Sequence, residues 1–130
     1  MRRQSATLTE QELEIMKVVW DKGTATVRDV YETLRERRKI AYTTVMTMMK
    51  ILEQKGHLTK NAEDRSHVYT PTEPKQTVVR GMVSEFINRV FNGSAEPLLM
   101  HLVEDRHVTA EELREISNMI SKRGKKWNRS

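Results

Sequence analysis

Apolar residues recur at helical spacing along most of this chain and at alternate positions in one short stretch near its middle. Leu13, Met16, Val19 and Trp20 mark a helix over Thr9–Asp21. Thr9 and Glu12 have the spacing of a capping box, Leu8 and Leu13 that of a hydrophobic staple, and Gly23 ends the helix. Thr26 caps a second helix, with Val27, Val30, Tyr31 and Leu34 inward and Arg28, Glu32, Arg35 and Arg38 outward. A third runs over Ala41–Gly56, where Val45, Met48, Met49 and Leu52 form one apolar stripe. Thr43, Thr47, Lys50 and Gln54 gather on the opposite side.

His57–Lys60 and Ser66–Thr70 alternate in the period-two manner of strands. Leu58 and Val68 are the expected inward pair, and Asn61–Arg65 the turn. Pro71 and Pro74 then mark a linker. A long helix starts near Lys75, and Val78, Val79, Met82, Val83, Phe86, Ile87, Val90 and Phe91 make its apolar surface broader than one packing face needs. Asn92-Gly93 stops it. Ser94 or Glu96 ahead of Pro97 restarts a short helix through Leu98, Leu99, Leu102 and Val103. Thr109 and Glu112 cap a last helix with Leu113, Ile116, Met119 and Ile120, and SKRGKKWNRS reads as a frayed basic tail.

The predicted class is mainly α with a small β-hairpin wing. Residues 1–72 form a winged helix-turn-helix, and residues 73–130 a helical dimerisation region with a basic tail. The third helix carries the functional signal. Thr lowers helix propensity at exposed positions, so three of them on a wet face call for another reason. Short hydroxyls and an ammonium suit a major groove. Thr43, Thr44, Thr47 and Lys50 are the candidate base or phosphate contacts, with Thr26 at a helix start and Lys60, Arg65 and His67 on the wing. For Arg65 a surface ion pair with Glu63 or Asp64 is the plainer alternative. The surplus apolar stripe points to a second copy of the chain, with Val79, Met82, Val83, Phe86, Val90, Leu98, Leu102, Leu113, Ile116 and Ile120 as dimer-forming residues.

Composition narrows these readings. The 130 residues carry a net charge of +5 and are 37% hydrophobic and 5% aromatic, a modest supply for a self-sufficient core. Residues 1–72 hold +3, residues 73–121 hold −3 and residues 122–130 hold +5, so the amino-terminal half and the tail suit phosphates. No Cys is present, which excludes disulfides, thiolate metal sites and Cys nucleophiles. No apolar run reaches membrane-spanning length, and MRRQSATLTEQE lacks the apolar segment of a signal peptide, so a cytoplasmic protein is expected. The Asn92-Gly93-Ser94 sequon is then a chance match. His101, Glu104, Asp105 and His107 lack the spacing of a metal-binding helix, and no nucleophile elbow or phosphate loop occurs. Neither enzyme activity nor a cofactor is expected.

The stretches LTEQELEIMKVVWDKG, VRDVYETL, AYTTVMTMMKILEQKGHL, RSHVYTP, FNGSAEPLLMHLVED and EELREI together resemble the BlaI/MecI family of bacterial repressors, which includes the CopY-type copper regulators. The resemblance spans nearly the whole chain. It implies a winged helix with Ala41–Gly56 as recognition helix and Lys60–Val68 as wing, a helical dimerisation region, and repression from a palindromic operator near β-lactam-resistance or related genes. In the β-lactam branch a membrane sensor system triggers proteolysis at an Asn-Phe pair; here His101-Leu102 stands in that place. Copper regulation of the CopY type needs Cys-x-Cys sites that this chain lacks. Two rivals stay open: a ligand- or metal-responsive repressor sensing through His101–His107, and a winged helix that docks a protein instead of DNA.

Overall fold

The computed structural model describes residues 8–61 and 67–123. In chain order the elements are α1 (Glu10–Lys22), α2 (Val27–Arg35), α3 (Tyr42–Gln54), β1 (Leu58–Asn61), β2 (Val68–Pro71), α4 (Lys75–Phe91), α5 (Glu96–Glu104) and α6 (Ala110–Arg123). Three helices followed by an antiparallel hairpin make a winged helix-turn-helix. Two compact units result, Met1–Glu85 and Phe86–Ser130, with the division inside α4.

Helix ends follow the capping residues. Thr9 Oγ1 accepts from the Glu12 amide at 3.1 Å, and the Glu12 carboxylate accepts from the Thr9 amide at 3.0 Å. Thr26 with Asp29 and Thr109 with Glu112 repeat this reciprocal arrangement. Each box satisfies two amides that a helix start leaves unpaired. Gly23 closes α1 at φ 88°, in left-handed backbone that side chains other than glycine enter at a cost. Asn92 at φ 54° and Gly93 at φ 89° end α4, which is why this pair stops so apolar a helix.

The first unit has the core. Ile15, Met16, Val18 and Val19 of α1, Val30 and Leu34 of α2, and Val45, Met49 and Leu52 of α3 are buried together with Leu58, Tyr69 and Val78. Leu13, Trp20, Val27, Tyr31, Met48 and Met82 pack at its edge. The inward faces expected for α1, α2 and α3 are those observed, and α1 adds Ile15 and Val18. Ala25, between α1 and α2, exchanges two backbone hydrogen bonds with Tyr69 at 3.0 and 2.8 Å, so β2 is flanked on both sides. Trp20 Nε1 donates to the Glu73 carbonyl at 3.1 Å and ties α1 to the start of α4.

Three expectations are corrected. Leu58 pairs with Pro71, not Val68, whose partner is Asn61; Leu58 and Tyr69 are the buried residues of the hairpin. Tyr69 has the larger apolar surface to bury, and it sets the register. Pro71 belongs to β2 as its last residue, a position where its missing N–H costs no central ladder bond. Finally, α6 continues through Ser121, Lys122 and Arg123, so only residues 124–130 of the supposed tail lie outside the described part. Among the described residues no helix is long and apolar enough to cross a membrane.

One polar cluster sits within this apolar frame. Glu12, 3% exposed, takes an ion pair from Lys55 Nζ at 2.6 Å, so the start of α1 is fastened to the end of α3. Burial alone would raise the Glu12 carboxyl, but the Lys55 hydrogen bond, the Thr9 amide and the nearby positive charge outweigh it and hold the group below its ordinary 4.5. His57 is buried beside this pair. Burial holds its imidazole below the ordinary 6.5, with Glu12 opposing and Lys55 assisting. Glu14 is lowered by a two-point contact with Arg38, at 2.8 and 3.3 Å, which moors the loop leading into α3.

All three groups have a lower pKa folded than unfolded, so each contributes full stability above its ordinary value and loses it as pH falls. Stability in urea is expected to decline as pH drops below 6.5 through His57, and again below 4.5 through Glu12 and Glu14. His57→Gln should flatten the first decline, and Glu12→Ala should cost about 1–2 kcal/mol at neutral pH. A first decline that persists unchanged in His57→Gln would contradict the assignment.

Candidate nucleic-acid interface

Val45, Met49 and Leu52 have no solvent exposure, so the rotation of α3 about its axis is fixed and the other side must face outward. Thr43, Thr44, Thr47, Lys50 and Gln54 are all exposed there. None of these side chains makes a hydrogen bond or ion pair with a described residue. No acid occurs between Ala41 and Leu52, so Lys50 leaves the face positive. Hydroxyls, an amide and an ammonium, unbonded and aligned, form a surface able to donate and accept at base edges or phosphates.

The helix start is differently built. Ala41 offers no capping side chain, and Tyr42 stands at the first helical position, 40% exposed. Its ring meets Tyr31 of α2 edge to face, with centroids 5.3 Å apart, and Arg35 lies over the other tyrosine at 5.6 Å. This aromatic step joins α2 to α3 at the end where the polar face begins. Sequence reasoning passed over Tyr42 and Met46 because both fit an ordinary core pattern. Their exposure, 40% and 41%, emerges only in the fold.

The other expected residues fall in several places. Thr26 is the N-cap of α2; its hydroxyl and amide are engaged by Asp29, and the first free amides of that helix belong to the residues after it. Lys60 is half-buried on the same hairpin face as Leu58, opposite Tyr69, so its stem covers apolar surface. His67 is exposed at φ 52° just before β2. Arg65 lies outside the described residues, as do its suggested partners Glu63 and Asp64.

Val83, at the end of the first unit, and in the second unit Phe86 and Val90 of α4, Leu99 and Met100 of α5 and Ile116, Met119 and Ile120 of α6 are all exposed by 40% or more. Leu98, Leu102 and Leu113 are half-buried. Val79 and Met82 belong to the first unit, where Val79 is half-buried and Met82 packs at the edge of the core. From Val79 to Lys122 no residue is fully buried. His101 is exposed and meets the Phe91 ring at 6.0 Å, while the His101-Leu102 bond lies inside α5. Among the described residues no three His, Asp or Glu gather where they could hold a metal ion.

Comparison with known proteins agrees with this architecture. The penicillinase repressor family matches residues 8–122. The penicillinase repressor of Bacillus licheniformis is 27% identical over 113 residues, 87% of this chain and 88% of that protein. The transcriptional regulator BlaI of Mycobacterium tuberculosis is 36% identical over 99 residues, 75% of this chain and 72% of its own length. In three dimensions the chain is similar to the DNA-binding domain of the repressor BlaI in solution, with 30% identity and a TM-score of 0.51 over 57% of this chain and 90% of that one. The chain belongs to the penicillinase repressor family.

Proposed function

We propose that this chain is a DNA-binding transcriptional repressor that occupies a palindromic operator as a homodimer in the cytoplasm. The observation that carries the reading is the outward face of α3, where Thr43, Thr44, Thr47 and Lys50 are exposed, make no hydrogen bond or ion pair with a described residue, and lie in a stretch without an acid from Ala41 to Leu52. Its relatives are repressors, and the domain it is similar to in three dimensions is a DNA-binding one. In this reading α3 enters the major groove, the start of α2 near Thr26 meets a phosphate, and Lys60, Arg65 and His67 meet the backbone beside it.

The dimer rests on a separate observation. A stretch of helix without one buried residue, yet with eight large apolar side chains exposed, does not bury enough surface to be stable alone. A second copy supplies the missing cover, and two-fold symmetry then sets two α3 helices on half-sites about 34–36 Å apart. Sensor-triggered proteolysis in the β-lactam branch falls on an Asn-Phe pair that His101-Leu102 replaces here, so cleavage at this bond is not part of the proposal.

In mobility shifts, Thr47→Ala and Lys50→Ala should each weaken retention of an operator selected by the native chain by about tenfold. Binding should fall steeply with salt, and Lys50→Ala should reduce that slope by about one if Lys50 meets a phosphate. Thr47→Ala should at the same time raise stability by about half a kcal/mol, because Ala is the better helix former on an exposed face. Unchanged affinity in both variants, or no salt-dependent retention of any duplex, would leave a protein-docking winged helix as the better reading. In sedimentation, the native chain should have a dimer mass and Phe86→Asp with Ile116→Asp a monomer mass; a native monomer at every concentration removes the dimer.

A further inference from the structure

Among the described residues up to Met82, Tyr42 and Met46 are the two large apolar side chains left exposed, at 40% and 41%. Between Leu8 and Met82 the other large apolar residues among those described are buried or half-buried, so the pair is not explained by want of space in the core. Both stand on α3. At helical spacing Tyr42, Met46 and Lys50 follow one another along a single strip, each ~40° round from the last. Thr43 and Thr47 border that strip on its far side. An apolar edge is therefore continuous with the polar face assigned above to the major groove, which has no acid from Ala41 to Leu52.

The major groove of DNA offers one apolar group at its base edges, the C5-methyl of thymine. We propose that Met46, flanked by Tyr42, is a specificity-determining residue that packs on a thymine methyl and so selects thymine over cytosine at one position in each half-site. The inference rests on the DNA-binding reading of α3. A flexible thioether suits this role, because it fills an irregular apolar gap without demanding one rotamer. Tyr42 is held by its edge contact with Tyr31, so it is a fixed wall beside a mobile reader. DNA is preferred to a second protein chain as occupant because the strip runs into Lys50 and is bordered by Thr43 and Thr47. A protein-covered apolar patch would place its polar groups at the rim of a broader apolar surface.

The test uses full-length protein and a duplex selected by it from a random pool, with each thymine replaced in turn by deoxyuridine. That change removes the methyl and keeps every hydrogen-bonding group. One position per half-site should lose about fourfold in affinity, the worth of one buried methyl-sized group. In Met46→Ala the same replacement should have no effect, while a thermal melt shows that this exposed position still folds. Equal affinity of the native chain for thymine and deoxyuridine at every position overturns the proposal, although DNA binding itself stands. Failure to retain any selected duplex overturns the DNA-binding reading and the proposal with it. If Met46→Ala alters the sedimenting mass and leaves thymine discrimination unchanged, the edge is covered by protein, which also overturns it.

Discussion

The complete burial of Val45, Met49 and Leu52 is the constraint from which the rest of the first unit follows. A helix that commits three positions to the interior has no freedom to rotate, because a turn of one residue would expose an apolar side chain and bury a threonine. Burial on one side therefore determines what the other side presents. The surrounding contacts serve the same end. Lys55 fastens the last turn of α3 to Glu12, and Arg38 holds the loop before it through Glu14. Tyr42 settles against Tyr31 at its start. Interior packing, rather than any bond made by the polar face, positions the surface that would meet DNA.

The helices were legible in the sequence because their signals are local. A capping box spans four residues and an apolar stripe repeats within a turn or two, so Thr9, Thr26 and Thr109 announce their helices without reference to anything distant. The hairpin register was not. Alternation shows which residues share a face but leaves strands free to slide by pairs, and the pairing of Leu58 with Pro71 depends on where Tyr69 finds the core. Ala25 carries no strand signal, and its bridge to Tyr69 exists because two helices bring it there. Glu12 reads as a capping residue and His57 as the start of a strand, and Lys55 carries no signal of its own. Only the fold joins α1 to the end of α3 and turns an exposed-looking glutamate into a buried anion.

For the site, residue type and spacing found the polar face of α3 but missed its apolar margin. Tyr42 and Met46 match the composition of a core, and periodicity places them at its edge, where inside and outside are decided by the neighbours. The same ambiguity acted in reverse on the last helix. A run of Ser, Lys and Arg looks like a tail by charge, yet α6 continues to Arg123 because none of these residues breaks a helix and cations suit its C-terminal end.

The two units divide the work unequally on the proposed reading. The face of α3 carries one cation and several neutral groups, which favours discrimination between bases over raw attraction to phosphate. A single copy would therefore hold DNA weakly. Joining two copies makes the second half-site an intramolecular partner of the first, and affinity rises through effective concentration without any new contact. Between Phe86 and Lys122 the second unit buries no residue fully, so on this reading its order would depend on pairing. Loss of pairing would then remove both the avidity and the order of that unit together. A signal need not touch α3 at all to release the operator; it needs only to separate helices that were never self-sufficient.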